Sequence, residues 1–407
     1  MIDIAILGHL ESEKYIGAVA LGGMIFNFIY FGFGFLRMST SGFTAQAYGE
    51  GNKKEIILNL SRSLLTALIG SIFIIALQVP IAWAGFNLIE GSPEVEALAK
   101  EYFHIRIYAA PAAIGLYAFS GWFLGLQNSK YPMILAISVN VVNLLLNLFF
   151  IFGLGMKSEG VAYGTLIAQY VGLTIAIILY LYKYKGYQKY WDKKAMLQLS
   201  ALKRFVLVNR DIFIRTLMLL LALSFFTAES AKYGDMTLAV NTILLQFFFI
   251  YSYFIDGFAH AAEALVGRYI GAKDIKNLKH SIKRLFVWGT SISLIFTLIY
   301  FLSGKHLLYI LTSNQDVIEN SIPYIYWIVS IPILTYAAFI WDGIYIGATA
   351  SVSMRNAMVI STMLIFFPLY YLLGRSMGNH GLWLALMIFM LSRGVILTLL
   401  SKRLFRF

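Results

Sequence analysis

Residues 35–55 (FLRMSTSGFTAQAYGEGNKKE) return in altered form as residues 257–277 (GFAHAAEALVGRYIGAKDIKN), an offset of 222 that sets Ala45 against Gly267 and Gly49 against Gly271. The same offset carries Gly121 and Gly125 of SGWFLGLQ onto Gly343 and Gly347 of DGIYIGAT, while Gly160 of EGVAYG falls one residue out of step with Gly381 of HGLWLA. A chain that repeats its own frame must fold as two versions of one design. In an apolar chain that pattern implies a transporter built from repeats around a central cavity.

Hydrophobic residues make up 59% of the 407 positions and charged residues 13%, a balance that fits a polytopic membrane protein rather than a soluble domain. The net charge of +12 does not indicate a nucleic-acid partner, because the basic residues sit in short loops between apolar runs rather than on one polar face. With no cysteine, disulfides and thiolate metal sites are excluded. The first residues show no cleavable signal pattern. No HExxH or GxSxG arrangement occurs (HAAE at His260 has the wrong order), so the sequence contains no sign of an intramembrane enzyme.

A spanning helix needs about 20 mostly apolar residues. Eleven stretches meet that requirement, near 16–47, 57–86, 102–126, 131–154, 159–182, 206–228, 237–268, 281–302, 322–347, 356–374 and 380–401. The expected fold is an all-α polytopic membrane protein with two pseudo-symmetric six-helix lobes around a central cleft. The N-terminal lobe covers 1–182, a basic linker 183–205, and the C-terminal lobe 206–407. Subtracting 222 from the helix that opens the second half places its partner's start about 15 residues before Met1. The register therefore predicts an incomplete first helix, most simply because the assigned start codon lies inside the gene.

Lys and Arg bias sets the orientation. Lys183, Lys185, Lys189, Lys193, Lys194, Lys203, Arg204 and Arg210 crowd the junction of the halves, which places the linker in the cytoplasm. With alternating spans, Lys53 and Lys54, Lys273, Lys276 and Lys279, and the tail Lys402, Arg403 and Arg406 fall on the same side, and with the incomplete first helix counted as a twelfth span both termini are expected in the cytoplasm.

Polar residues inside apolar runs are the functional candidates. Asp3 either marks an ion pathway or sits in a water-exposed N-terminus. Asn140, Asn143 and Asn147, spaced by three and four, share a helix face and either join helices or line a site. Asp256, His260 and Glu263 also share a face: they form a proton relay, a gate opposite Arg37 or Arg215, or buried hydrogen bonds between helices. Arg215 needs a counter-charge, and Asp256 is the expected one. Asp342 has Ser120 as its repeat equivalent, so any charge role there belongs to the C-terminal lobe alone. Aromatics make up 16% of the chain, and a few of them in a cleft would suit flat organic cations.

The stretches GFLRMSTSGFTAQAYG from Gly34, NRDIFIRTL from Asn209, YGDMTLAVNTILLQFFFIYSYFIDGFAHAAEALVG from Tyr233 and WDGIYIGATASVSMRNAMVIS from Trp341 resemble the MATE (multidrug and toxic compound extrusion) family, in particular its DNA-damage-inducible F branch. The resemblance runs over nearly the whole chain. It implies a V-shaped cleft, alternating access and export of mostly cationic amphiphiles in exchange for H+ or Na+, without a cofactor. The implied setting is a bacterial cytoplasmic (inner) membrane, with small organic substrates and lipids as partners and a monomeric chain. A flippase for lipid-linked sugars or peptidoglycan precursor is the alternative of similar fold, though it usually has fourteen spans and a basic cavity.

In the resembling family a first-helix Asp, an Asn, a second Asp four residues on and a Thr eighteen residues beyond line a cation site. IDIAILGHL supplies Asp3, and Asn143, Asn147 and Thr165 occupy the other three positions. The chain departs at Asn147, where the pattern has a carboxylate. An amide oxygen can replace a carboxylate oxygen as a ligand but not its charge, which weakens cation binding.

Overall fold

A computed structural model describes residues 14–88 and 92–405. Among these residues the chain is helical, and eleven helices are long and apolar enough to cross a membrane. They are α1 (Lys14–Gly49), α2 (Lys53–Ala76), α3 (Pro93–Gly125), α4 (Lys130–Gly153), α5 (Ser158–Tyr190), α6 (Leu199–Lys232), α7 (Asp235–Gly271), α8 (Ile275–Leu311), α9 (Gln315–Gly347), α10 (Ser351–Met377) and α11 (Asn379–Lys402). Large apolar side chains such as Leu298, Phe301, Leu302 and Leu372 stand on their outer faces. Such a surface suits hydrocarbon rather than water, and helices satisfy their backbone groups internally there.

One expected span is divided. The run 57–86 reads as continuous, yet α2 ends at Ala76 and a separate short helix covers Gln78–Leu88. Pro80 explains the break: it has no N–H to give, and its ring clashes with the carbonyl four residues back, that of Ala76. The chain turns at Leu77, whose N–H is donated to Phe73 and Ile75 carbonyls.

The helices form two compact units, Met1–Phe205 and Val206–Phe407. In the first, α1 packs most extensively on α3, which also carries α2; in the second, α7 packs most extensively on α9, which also carries α8 and α11. The 222-residue repeat is visible atom by atom in these pairs. A methyl group on Gly121 would run into the Arg37 carbonyl, and one on Gly343 into the Ala259 carbonyl, its repeat equivalent. One turn later, a Cβ on Gly125 would lie 2.7 Å from the Ser41 oxygen, and one on Gly347 2.6 Å from the Glu263 oxygen. Glycine is needed because main chain touches main chain.

The caps repeat as well. Asn52 accepts from Glu55 N–H at the start of α2, and Asp274 from Asn277 N–H at the start of α8, each at 3.0 Å. Left-handed residues precede both caps at Gly51 (φ 67) and Lys273 (φ 54), and recur after α3 and α9 at Gln127 (φ 60) and Thr349 (φ 52). Wide π-helical turns at Phe149–Gly153 and Tyr370–Gly374 are related by 221 residues, the same one-residue slip that separates Gly160 from Gly381.

Gly343→Ala should destabilise the protein by about 1–3 kcal/mol or more through overpacking. Gly257→Ala, where nothing lies within 4 Å of the new methyl, should be close to neutral. Thermal unfolding in detergent measures both, and equal midpoints would show that the α7–α9 contact is not limiting.

Candidate functional site

The first unit builds its polar site between α4 and α5. Gly160, Gly164, Ala168, Gly172 and Ala176 recur every four residues and form a buried stripe of small residues on α5. Small residues let a neighbouring helix approach closely. At Gly164 the approach is filled by Asn147, whose Oδ1 occupies the space a methyl group would need. Asn147 is fully buried and its Nδ2 donates to Asn143 Oδ1 at 3.4 Å; Asn143 Nδ2 in turn donates to Thr165 Oγ1 at 3.1 Å. The structure thus brings together three of the four residues expected at the cation site. Asp3 lies outside the described residues. Asn140 shares the expected helix face but is exposed and donates to its own helix at Ala136 O, 2.8 Å away, so it does not extend the chain of amides.

The second unit places charge instead. Asp342 on α9 is buried and its Oδ2 accepts from Arg215 of α6 and, at 2.7 Å, from Arg393 of α11. The partner of Arg215 is therefore Asp342, where the sequence suggested Asp256. The reason is packing geometry: α9 is the central helix of this unit and Asp342 sits on its buried part. Arg393 is 2% exposed and Arg215 8%, so two guanidinium groups share one carboxylate in a low-dielectric interior. Asp256 lies within electrostatic range of Arg393. Glu263, 1% exposed, has an oxygen 3.5 Å from Nδ1 of His260, one turn back on α7. Arg37 belongs to the first unit, on α1, within electrostatic range of Tyr117.

Several polar residues were missed by sequence reasoning. Asp211 is buried and accepts from Arg355 at 2.7 Å and Ser351 at 3.0 Å, which ties α6 to the start of α10. Glu229 accepts from Tyr370 at 2.9 Å and Lys232 at 2.6 Å. Asn241 donates to Ser230 and Asn379, both at 2.7 Å, and accepts from Trp383 at 2.8 Å. In the first unit Arg106 donates to Tyr102 at 2.6 Å and lies 4.8 Å from the Phe26 ring centroid. A charge inside an apolar run was the available signal for Asp211, Arg106 and Arg393. Among the described residues no three His, Cys, Asp or Glu side chains converge as metal ligands.

The family model described as MatE matches residues 1–149 and 212–372. DNA damage-inducible protein F of Escherichia coli (strain K12) is 34% identical over 99% of this chain and 87% of its own length. The probable multidrug resistance protein NorM of Photorhabdus laumondii is 24% identical over 98% of this chain and 90% of its own. A crystal structure described as MATE in the bent conformation superposes with a TM-score of 0.89 at 19% identity, covering 100% of this chain and 90% of that one.

Asp342→Asn should cost about 3–5 kcal/mol, because it leaves two buried guanidinium groups without their shared counter-charge. Arg215→Met in the same background should recover part of that loss. Unfolding midpoints of the wild type, both single variants and the double variant give the coupling, and additive effects would mean that the ion pair adds nothing.

Proposed function

This chain belongs to the MATE family of multidrug and toxin efflux transporters, and from that membership we propose that it is a secondary active antiporter exporting organic, cationic amphiphilic compounds in exchange for H+ or Na+ by alternating access. It is a transporter and not an enzyme, and it crosses the membrane many times. The observation that carries the coupling assignment is the Asn147–Asn143–Thr165 chain buried between α4 and α5. It offers amide and hydroxyl oxygens in the membrane interior, and hard cations take such oxygens. Asp3 supplies the negative charge in this reading, by its match to the family's first-helix motif. With Asn147 in place of a carboxylate, the site carries one formal charge and binds a monovalent ion weakly enough to release it.

The second lobe has a different part. Asp342, Arg215 and Arg393 act as a lock that holds α6, α9 and α11 together, while Asp256, His260 and Glu263 on α7, and separately Arg37 on α1, serve as a gate or polar network. Lobes of 1–182 and 206–407 joined by a cytoplasmic linker, both termini in the cytoplasm of a bacterium, and a monomer surrounded by lipid with no nucleic-acid partner complete the reading.

Efflux of a fluorescent organic cation from proteoliposomes tests it. Imposed Na+ or proton gradients should each be tried alone, and at least one should drive export. Thr165→Val removes one oxygen at constant shape and should weaken the dependence on the coupling ion about ten-fold, the worth of one hydrogen bond to a charged group. Asp3→Asn should abolish the gradient dependence. An unchanged rate in Asp3→Asn would remove Asp3 from the mechanism, and no gradient-driven flux in the wild type would end the antiporter reading.

A further inference from the structure

At its basic end α5 turns into a tight helical segment, Lys185–Tyr190, that packs against α2. The two enclose a cavity of about 250 Å³ lined by Lys53, Lys183, Tyr184, Tyr187, Lys189 and Tyr190. Three lysines and three tyrosines line it, and no acidic residue does. Among the described residues none of the three lysines forms an ion pair. They rest on aromatic faces instead: Lys53 and Lys189 lie 5.9 and 5.1 Å from the Tyr190 ring centroid, and Lys183 lies 5.5 Å from that of Tyr184.

The walls are built rather than incidental. Lys54 pairs with Asp192 at 2.8 Å, Trp191 Nε1 donates to Ser61 at 3.1 Å, and Arg62 Nη2 donates to the Ala195 carbonyl at 2.9 Å, so the segment after the cavity is fastened along α2. Behind it Asn128 donates to the Tyr184 hydroxyl at 2.9 Å, and Trp122 packs edge-on against the same ring at 5.1 Å. Hydrogen bonding to Lys54 and to the Ala195 N–H holds the Asp192 carboxyl below its ordinary value of 3.8. A lowered carboxyl keeps its contribution above that value and loses it only as the pH falls further, so the fastening is complete at neutral pH.

Gathering three like charges at the N-terminus of α2, which itself carries partial positive charge, favours an anion between them. The tyrosines mark this end of α5 as the membrane–water interface, where the most abundant anion is a lipid phosphate. We propose that this cavity binds the phosphate of an anionic membrane lipid headgroup, with Lys53, Lys183 and Lys189 supplying the charge and the tyrosine hydroxyls further donors. The lysines of the linker, read from sequence only as a topology signal, would then include a lipid site.

Native mass spectrometry of the purified full chain, titrated with phosphatidylglycerol or phosphatidylcholine, tests this. Each lysine near an anionic headgroup is worth about 1 kcal/mol, or about five-fold in affinity, so K53Q/K183Q/K189Q should bind phosphatidylglycerol roughly 100-fold more weakly. The charge-preserving K53R/K183R/K189R should retain binding. The triple K193Q/K194Q/K203Q, which removes equal charge from the neighbouring linker outside the cavity, should change it by about five-fold or less. Equal binding of the two lipids to the wild type, or equal loss in both glutamine triples, would overturn the proposal. Displacement of the lipid by excess inorganic phosphate would also overturn it, reassigning the cavity to a soluble phosphate. Should the glutamine triple not fold, single K53Q and K189Q carry the same test at about five-fold each.

Discussion

Main chain against main chain is the contact on which both units depend. Between helices in lipid there is little hydrophobic driving force, so association rests on how closely two backbones can approach. Gly121 and Gly125 bring α3 onto the Arg37 and Ser41 carbonyls of α1, and Gly343 and Gly347 bring α9 onto the Ala259 and Glu263 carbonyls of α7. Of the other helices, α2 attaches to α3, and α8 and α11 to α9.

On that shared frame the two units place different chemistry. In the first, a stripe of small residues on α5 makes room for the neutral amides of Asn143 and Asn147. In the second, the corresponding helices carry another close approach, where a methyl group on Gly381 would meet the Gly374 backbone, and the polar burden shifts to Asp342, Arg215 and Arg393. A buried ion cluster has a fixed geometry and a large cost of opening, whereas a chain of amides can change partners without exposing a charge. The ion cluster suits holding helices in place, and the amide chain suits the coupling role proposed for it.

Features that depend on local pattern were legible in the sequence. Eleven apolar runs became eleven membrane-length helices, and the 222-residue register paired Gly121 and Gly125 with Gly343 and Gly347, the glycines that turn out to lie against main chain. The division at Leu77 was also present in principle, since Pro80 announces it, but a hydropathy run hides a break that leaves composition unchanged. Partner choice was not legible. Arg215 and Asp342 are 127 residues apart, and which of two carboxylates meets an arginine depends on how helices rotate about their axes, a quantity that no periodicity within one helix records. Asn140 shows the same limit from the other side, because its spacing matches the stripe while its amide bonds to its own helix.

The repeat of backbone contacts also bears on how such a chain can diverge. Side chains in the two copies can differ in chemistry, as Ser120 and Asp342 do, while the backbone contacts beside them stay the same. A glycine that lies against a carbonyl has no such freedom, since almost any replacement separates two helices at once. The shared design therefore persists in main-chain contacts, caps and turns, and the two copies differ most in their buried polar side chains.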